Sequence, residues 1–584
     1  MNKIVYTCLF IFLLISTNSA AQYQPKNISQ ADVNKAHQWV DNIYNSLSQD
    51  EKLGQLFIVA LYTNKDEAHI NQVRSIVQND KIGGLILMQD DAAREINLVN
   101  EFQQQSKVPL IIGMDAEWGL FQRIAAAHKF PWAMTLGAIQ DKNLIYQMSA
   151  KIADDCRRMG INWDFAPVVD VNTNPNNPII GNRSFGSEVN NVISSALSYS
   201  NGLQDNNILA AIKHFPGHGD TSTDSHLDLP VVSHNSDRLN NIELAPFKAL
   251  MNKGIGGVMV AHLYVPALES GKEIPASISK NIITGLLKEK FGYKGLIITD
   301  ALNMGAVANK YKPGELDALA FKAGNDIMLF SQGVSEGKKL IQKAIDNGEI
   351  SQSRVEESVK KILLTKYYLG LDQYTPKNSE NINHDLNNDS HKNLVQNLYS
   401  NALTLLKDSK KLLPVNDKKV YYVPLEEAPY QTFADQLSLN STVIVKKADE
   451  INTIPANSTV IIGIHKDNST AYKPYKVSAE SKKIIADLAK NQNIILNIFG
   501  SAYALKDIDI SKISTVLVSY ENNDDSMTAT AKALNGKTKI WGRLPVLVND
   551  NLKAGMGIDA NTSSPSVTEI SNAASIIFTT SKQQ

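Results

Sequence analysis

Eight short apolar runs, separated by helical patterns, constrain this chain more than any other feature. They occupy residues 56–60, 84–88, 109–114, 162–169, 208–212, 257–261, 296–299 and 326–330. Each is near-continuously apolar, where a strand with one wet face would alternate with period two, so each reads as a strand buried on both faces. Eight such strands with helices between them, over about 310 residues, fit a (β/α)8 barrel. An open, doubly wound sheet uses the same ingredients and is the competing arrangement. Polar residues stand at the C-terminal ends of the runs: Asp115, Asp170, Lys213 with His214, His262 and Asp300. The starts are mostly Gly, Pro or Leu, and in a barrel it is the C-terminal end that carries the active site.

The rest of the chain allows more than one domain. Its 584 residues suggest two or three. Lys and Arg number 58 against 59 Asp and Glu, a balance that argues against a nucleic-acid partner. With 43% hydrophobic and 20% charged residues, 32 Gly and 20 Pro, the chain is globular rather than collagen-like or low-complexity. Two cysteines, Cys8 and Cys156, exclude a disulfide scaffold and a paired-cysteine zinc module. Lys3, the apolar run 4–15 and Ser19-Ala20-Ala21 read as a signal peptide over residues 1–21, with an uncleaved anchor as the alternative. The expected protein is therefore periplasmic or secreted, with no membrane span after cleavage. The barrel is expected over 22–370. Residues 371–396, rich in Asn, Asp, Ser and Lys, read as a linker. From 397 to 584 a smaller α/β sandwich is expected, with strands at 421–424, 443–445, 460–464, 494–498 and 516–520 and an amphipathic helix over 478–490. No phosphate-binding glycine loop and no internal repeat is present.

The densest chemistry follows the fifth run: Lys213-His214-Phe215-Pro216-Gly217-His218-Gly219-Asp220, then Asp224-Ser225-His226. Proline and two glycines make this a shaped loop rather than a helix. Asp224 and His226, two apart, allow a carboxylate to hydrogen-bond the imidazole and fix its tautomer, which suits proton transfer near neutral pH. His214 and His218 have the four-residue spacing of a helical metal pair, but Pro216 and Gly217 break the helix that would bring them together. No metal and no cofactor is expected. Solvated or structural histidines remain the bland alternative. Asp300 ends the seventh run, either as a helix N-cap or as a nucleophile toward a sugar's anomeric carbon. Asp115, Glu117 and Arg123 leave the third run, where carboxylates and arginines suit sugar hydroxyls. Trp118 beside them could pack on a pyranose face. A solvated Glu117–Arg123 pair and a core Trp118 are the alternatives.

These residues carry a resemblance. The 213–226 loop is similar to the signature of family 3 glycoside hydrolases of the bacterial β-N-acetylglucosaminidase type. Glu51-Lys52-Leu53-Gly54-Gln55-Leu56, Asn182-Arg183-Ser184-Phe185-Gly186 and Thr299-Asp300-Ala301-Leu302 fall in the family's order. The resemblance covers about residues 40–370. Beyond it, Asn401 to Lys407 and Leu412-Leu413-Pro414 look like the start of the family's second domain, and Gly542-Arg543-Leu544-Pro545-Val546 like its end. The resemblance implies retaining, exo-acting hydrolysis of terminal β-linked N-acetylglucosamine, with cell-wall fragments as the carbohydrate substrate. Asp300 would be nucleophile, His226 acid/base and Asp224 its partner. Asp115, Arg123, Arg183, Lys213 and His214 would hold the sugar. Trp118 and Leu120 depart from the family's usual glycine and arginine. A related β-glucosidase or β-xylosidase, a non-catalytic sugar-binding protein and a metal-dependent barrel hydrolase are the rivals.

Overall fold

The computed structural model describes residues 23–561 except 27 and 471–472. The expected signal segment, with Cys8, lies outside the described residues. Eight parallel strands follow the apolar runs: β1 (Phe57–Leu61), β2 (Gly84–Leu87), β3 (Ile111–Met114), β4 (Trp163–Asp164), β5 (Leu209–Phe215), β6 (Gly257–Val260), β7 (Leu296–Thr299) and β8 (Met328–Leu329). Their spatial order is β7-β6-β5-β4-β3-β2-β1-β8. A parallel bridge between Ile298 and Ile327 brings the β8 run back against β7 and closes the ring. The arrangement is thus the barrel and not the open sheet. Every residue of these strands is buried, which is why the runs show no alternation.

Local signals set the helix starts between strands. Ser48 caps Gln49–Gly54: its hydroxyl accepts the Glu51 N–H at 3.2 Å, and the Glu51 carboxylate accepts the Ser48 N–H at 2.8 Å. Asp91 and Asp141 cap Ala92–Gln105 and Lys142–Met159 in the simpler way.

The second sheet has six strands: β9 (Thr404–Asp408), β10 (Lys419–Leu425), β11 (Thr442–Val445), β12 (Thr459–His465), β13 (Asn493–Phe499) and β14 (Thr515–Val518). Their order is β11-β10-β12-β13-β14-β9. All pairs are parallel except β14 with β9 at one edge. The 478–490 pattern forms the helix Ala479–Leu488, capped by Ser478. β9 was not expected. It follows the helix Asp389–Ala402 after a single residue, so its apolar run merges with the helix pattern.

Residues 371–396 are not an exposed connection. They hold the short helices Leu371–Gln373 and Ile382–Asp385 and the first turns of Asp389–Ala402. Leu371, Ile382, Leu386 and His391 are buried. His391 Nε2 lies 2.9 Å from Asp155 Oδ2 of the barrel, and Arg158 Nε donates to Asp385 at 3.0 Å. The polar composition hid a few widely spaced apolar anchors.

The residues that follow β12, β13 and β14 meet the catalytic end of the barrel. Asn172 Nδ2 donates to the Tyr503 hydroxyl at 3.0 Å, and Tyr475 donates to Asn176 Oδ1 at 3.2 Å. The final described segment then returns to the barrel. The Pro545 carbonyl accepts the Ser187 N–H at 3.0 Å, and the Leu547 N–H donates to Ser187 Oγ at 2.9 Å. Gly186 (φ +139°) leaves room for this backbone, since a Cβ there would lie 2.2 Å from the Pro545 oxygen.

Candidate active site

The strand ends surround a cavity of about 520 Å³. Asp115, Arg123, Arg183, Lys213, His214, His226 and Asp300 all line it. Asp224 reaches it through His226.

Five charged residues form one network on the β3–β5 side. Lys213 Nζ, at the end of β5, lies 2.9 Å from both Asp115 Oδ1 and Glu117 Oε1. Arg123 Nη2 donates to Asp115 Oδ2 at 2.6 Å. Arg183 grips Glu117 with two donors, Nη2 at 2.6 Å and Nε at 2.9 Å, in the forked geometry that guanidinium and carboxylate share. Burial alone would raise the pKa of Asp115, but Lys213 and Arg123 outweigh it and hold the group well below the carboxylate range. Glu117 is drawn down to about 2, because Arg183 and Lys213 likewise overcome burial. The alternative of a solvated Glu117–Arg123 pair is thus replaced by Asp115–Arg123 and Glu117–Arg183. The network sets three basic side chains against two carboxylates and presents both donors and acceptors to a polyol.

His214 is fixed from behind. Its Nδ1 lies 2.8 Å from Asp170 Oδ2, and its own backbone N–H also reaches that carboxylate. Asp170 keeps a lowered pKa in spite of burial because His214 and His218 surround it. The bond fixes the imidazole with Nε2 turned to Arg183, 3.3 Å away.

Asp300 follows β7. Its Oδ1 accepts the Ala301 N–H at 2.8 Å. Burial raises its pKa, but His214 and His262 nearby, with that backbone donor, bring it below the ordinary value. Asp300 is therefore an anion facing the cavity. It caps no helix: the next one, Gly305–Ala308, starts after Met304.

The loop after β5 carries His226 over the opposite lip. His226 Nδ1 lies 2.8 Å from Asp224 Oδ1, which also accepts the His226 N–H at 2.8 Å. The loop is docked on the segment after Asp300, because the His226 carbonyl accepts the Gly305 N–H at 3.2 Å. At its root, His218 packs inward against Thr221 and Ser225, and burial with His214 beside it lowers its pKa to about 4. Gly219 has no side chain because a Cβ there would lie 1.9 Å from the Val171 carbonyl oxygen. His214 and His218 thus point to different partners. Among the described residues no group of three or more His, Cys, Asp or Glu is arranged to hold a metal ion.

Trp118 is half-buried and lines the cavity instead of the core, with its ring 4.1 Å from that of Trp132. Trp132 is held from the second domain. Glu521 Oε1 accepts the Trp132 N–H and the Thr135 hydroxyl, each at 2.8 Å, and Lys129 Nζ lies 3.2 Å from Oε2. Ser469 and Thr470, after β12, complete the rim.

Sequence reasoning picked out Glu117, Asp170 and His262 by their position at or just after strand ends and His218 within the loop, but it did not give their partners. Position at a strand end was a sufficient signal for Asp170. No local pattern could have found Trp132, Glu521, Ser469 or Thr470, whose part depends on how two domains meet.

The glycosyl hydrolase family 3 N terminal domain matches residues 48–365. Beta-hexosaminidase A of Pseudoalteromonas piscicida is 31% identical over 82% of this chain and 91% of its own length. A beta-N-acetylglucosaminidase/beta-glucosidase of Cellulomonas fimi is 27% identical over 65% of this chain and 68% of its own. Among solved structures, a glycoside hydrolase family 3 beta-N-acetylglucosaminidase from Paenibacillus sp. str. FPU-7 superimposes with a TM-score of 0.71 at 29% identity, covering 86% of this chain and 99% of that one.

Proposed function

Because this chain belongs to glycosyl hydrolase family 3 and is a glycoside hydrolase, we propose that it is a retaining, exo-acting β-N-acetylglucosaminidase. The observation that carries this reading is the pairing, across one cavity, of the ionised Asp300 with the His226–Asp224 couple. The relatives named for hexosaminidase activity support the acetamido substrate.

In the first step the Asp300 carboxylate attacks the anomeric carbon of a terminal β-linked N-acetylglucosamine. His226, protonated on Nε2 and held through Nδ1 by Asp224, gives its proton to the glycosidic oxygen as the bond to the leaving group breaks. A glycosyl ester on Asp300 results. In the second step neutral His226 takes a proton from water, the water oxygen attacks the anomeric carbon from the face the leaving group left, and the Asp300 carboxylate is released. Two inversions give net retention. Asp115, Glu117, Arg123, Arg183, Lys213 and His214 hold the sugar's hydroxyls. Cell-wall fragments in the periplasm or outside the cell are the proposed source of substrate, in line with the leader-like run at 4–15.

A panel of chromogenic β-glycosides, with and without the N-acetyl group, tests this. The N-acetylglucosaminide should be turned over well ahead of the glucoside and the xyloside. The reverse order would favour the β-glucosidase reading, for which the bifunctional Cellulomonas fimi relative is the specific support. No turnover of any member would favour a non-catalytic sugar binder.

A further inference from the structure

Behind the sugar-facing network lies a buried acid that takes no part in the chemistry above. Asp164 ends β4, and no part of it reaches solvent. Its Oδ1 accepts the Ala116 N–H at 3.0 Å. Ala116 stands between Asp115 and Glu117, so this acid grips the middle of the segment that carries both. Its other oxygen, Oδ2, lies 3.2 Å from the hydroxyl of Tyr199. Tyr199, on the helix Val189–Gln204, is buried too. The same hydroxyl lies 3.1 Å from the Ala116 carbonyl and 3.2 Å from the Glu117 carbonyl.

Donor counting distinguishes the two states of this cluster. Around the Tyr199 hydroxyl stand two carbonyl oxygens and one carboxyl oxygen, and the hydroxyl has a single proton. With Asp164 ionised, that proton turns to the carboxylate; the Ala116 carbonyl keeps the Gly119 N–H at 2.9 Å, but the Glu117 carbonyl loses its donor. With Asp164 protonated, its Oδ2–H donates to the Tyr199 oxygen, and the Tyr199 O–H is free to donate to the Ala116 and Glu117 carbonyls. Oδ1 accepts the Ala116 N–H in either state. A buried acceptor left without a donor is costly, so the protonated cluster holds the strand end in place and the ionised one loosens it.

We infer that Asp164 and Tyr199 are positioning residues for the sugar-binding segment Asp115–Glu117, and that they act through a proton carried by Asp164. The groups that face Asp164 agree with this. Asp115 and Glu117 bear on it from the β3 segment, Lys213 from β5, Tyr199 from its helix and Cys156 from the helix Lys142–Met159. Burial is the strongest influence and, with the two carboxylates, outweighs the Ala116 N–H and Lys213. The acid therefore loses its proton at about pH 7. The inference rests on the reading of Asp115 and Glu117 as sugar-binding residues.

The test is steady-state kinetics on an aryl β-N-acetylglucosaminide between about pH 5.5 and 8.5, spanning that titration. The enzymes are wild type, Asp164→Asn, Asp164→Ala and Tyr199→Phe, each with its melting temperature measured. For the wild type, KM should rise about five- to tenfold as pH passes through neutrality, as one buried hydrogen bond is lost. Asp164→Asn should keep the low-pH KM throughout, since its amide donates to Tyr199 and its oxygen accepts from Ala116. Tyr199→Phe and Asp164→Ala should show the raised KM already at the acid end, with kcat within about twofold of wild type. The inference is overturned if Asp164→Asn follows the wild-type rise in KM, or if Tyr199→Phe keeps the wild-type KM. Both of these variants preserve shape, so the outcome does not depend on Asp164→Ala folding. An inactive wild type would overturn the functional reading and this inference with it. An active wild type with the wrong variant pattern would overturn this inference alone.

Discussion

In the proposed mechanism Asp300 and His226 divide the roles that two carboxylates take in most retaining glycosidases. Their surroundings differ accordingly. Asp300 sits among His214, His262 and a backbone N–H that keep it anionic. His226 stands on a lip with its side chain 56% exposed and a carboxylate on one nitrogen only. Asp300→Ala should reduce turnover to background while the melting temperature stays close to wild type. Near-wild-type turnover by the purified variant would refute the assignment. His226→Ala should act unequally on different substrates. A sugar leaving group needs the proton and should lose about 10²- to 10⁴-fold in its glycosylation step, whereas a nitrophenolate needs it little. With the aryl substrate the second step should then limit, and azide, which requires no base, should restore turnover and yield a β-glycosyl azide. Equal losses on both substrates with no effect of azide would remove His226 from the role. His218→Ala should lack this signature, because His218 is turned into the root of the loop against Thr221 and Ser225.

At the scale of elements, the strands were legible because burial on both faces leaves an uninterrupted apolar run, and a polar residue just beyond such a run has few places to go except the barrel mouth. Asp115, Lys213 and Asp300 were found that way. Their partners were harder to find. Glu117 was visible in sequence, but its pairing with Arg183, 66 residues on, follows from the closing of the ring. The run 162–169 shrinks to the two-residue β4, because Pro167 has no N–H to offer the ladder. Helices hide other information. Lys366, in the last turn of Gln352–Tyr368, is fully buried with Gln55 Oε1 as its partner at 2.7 Å. Burial lowers its pKa from 10.5 to about 7. A base that is harder to protonate when folded leaves the unfolded chain with more bound protons between those two values. Its contribution to stability therefore rises with pH from about 7 to 10.5 and is flat below. Lys366→Met should remove that rise. Melting temperatures of the two proteins, taken across this range, should show the difference between them shifting in favour of wild type as pH increases. A constant difference would mean that Lys366 is charged in the folded state.

Seen as a whole, the molecule places its second sheet where it completes the first domain's site. Glu521 holds the backbone of Trp132, whose ring packs on Trp118, and Ser469 and Thr470 add hydroxyls to the same rim. Glu521→Ala should raise KM more than it lowers kcat and shift tryptophan emission to the red, because Trp132 loses the donor–acceptor bond that seats it. The loss of buried hydrogen bonds should also cost about 1–3 kcal/mol of stability. An unchanged KM and spectrum would show that the aromatic wall stands without help from the second domain. None of this was legible in the sequence, since local patterns report burial and not which distant surface supplies it.

The return of the chain's end to the barrel sets an order in time. Gly186 lies three residues beyond Arg183, and its place beside Pro545 is filled only when a segment some 360 positions later arrives. At a synthesis rate of about 5–20 residues per second, that delay is roughly 20–70 s. Only after Leu329, at the end of β8, are the barrel's eight strands all made, and from there to Pro545 the loop that presents Arg183 to Glu117 still lacks the backbone that braces it. The brace on the loop that carries Arg183 is therefore among the last contacts the newborn polypeptide acquires.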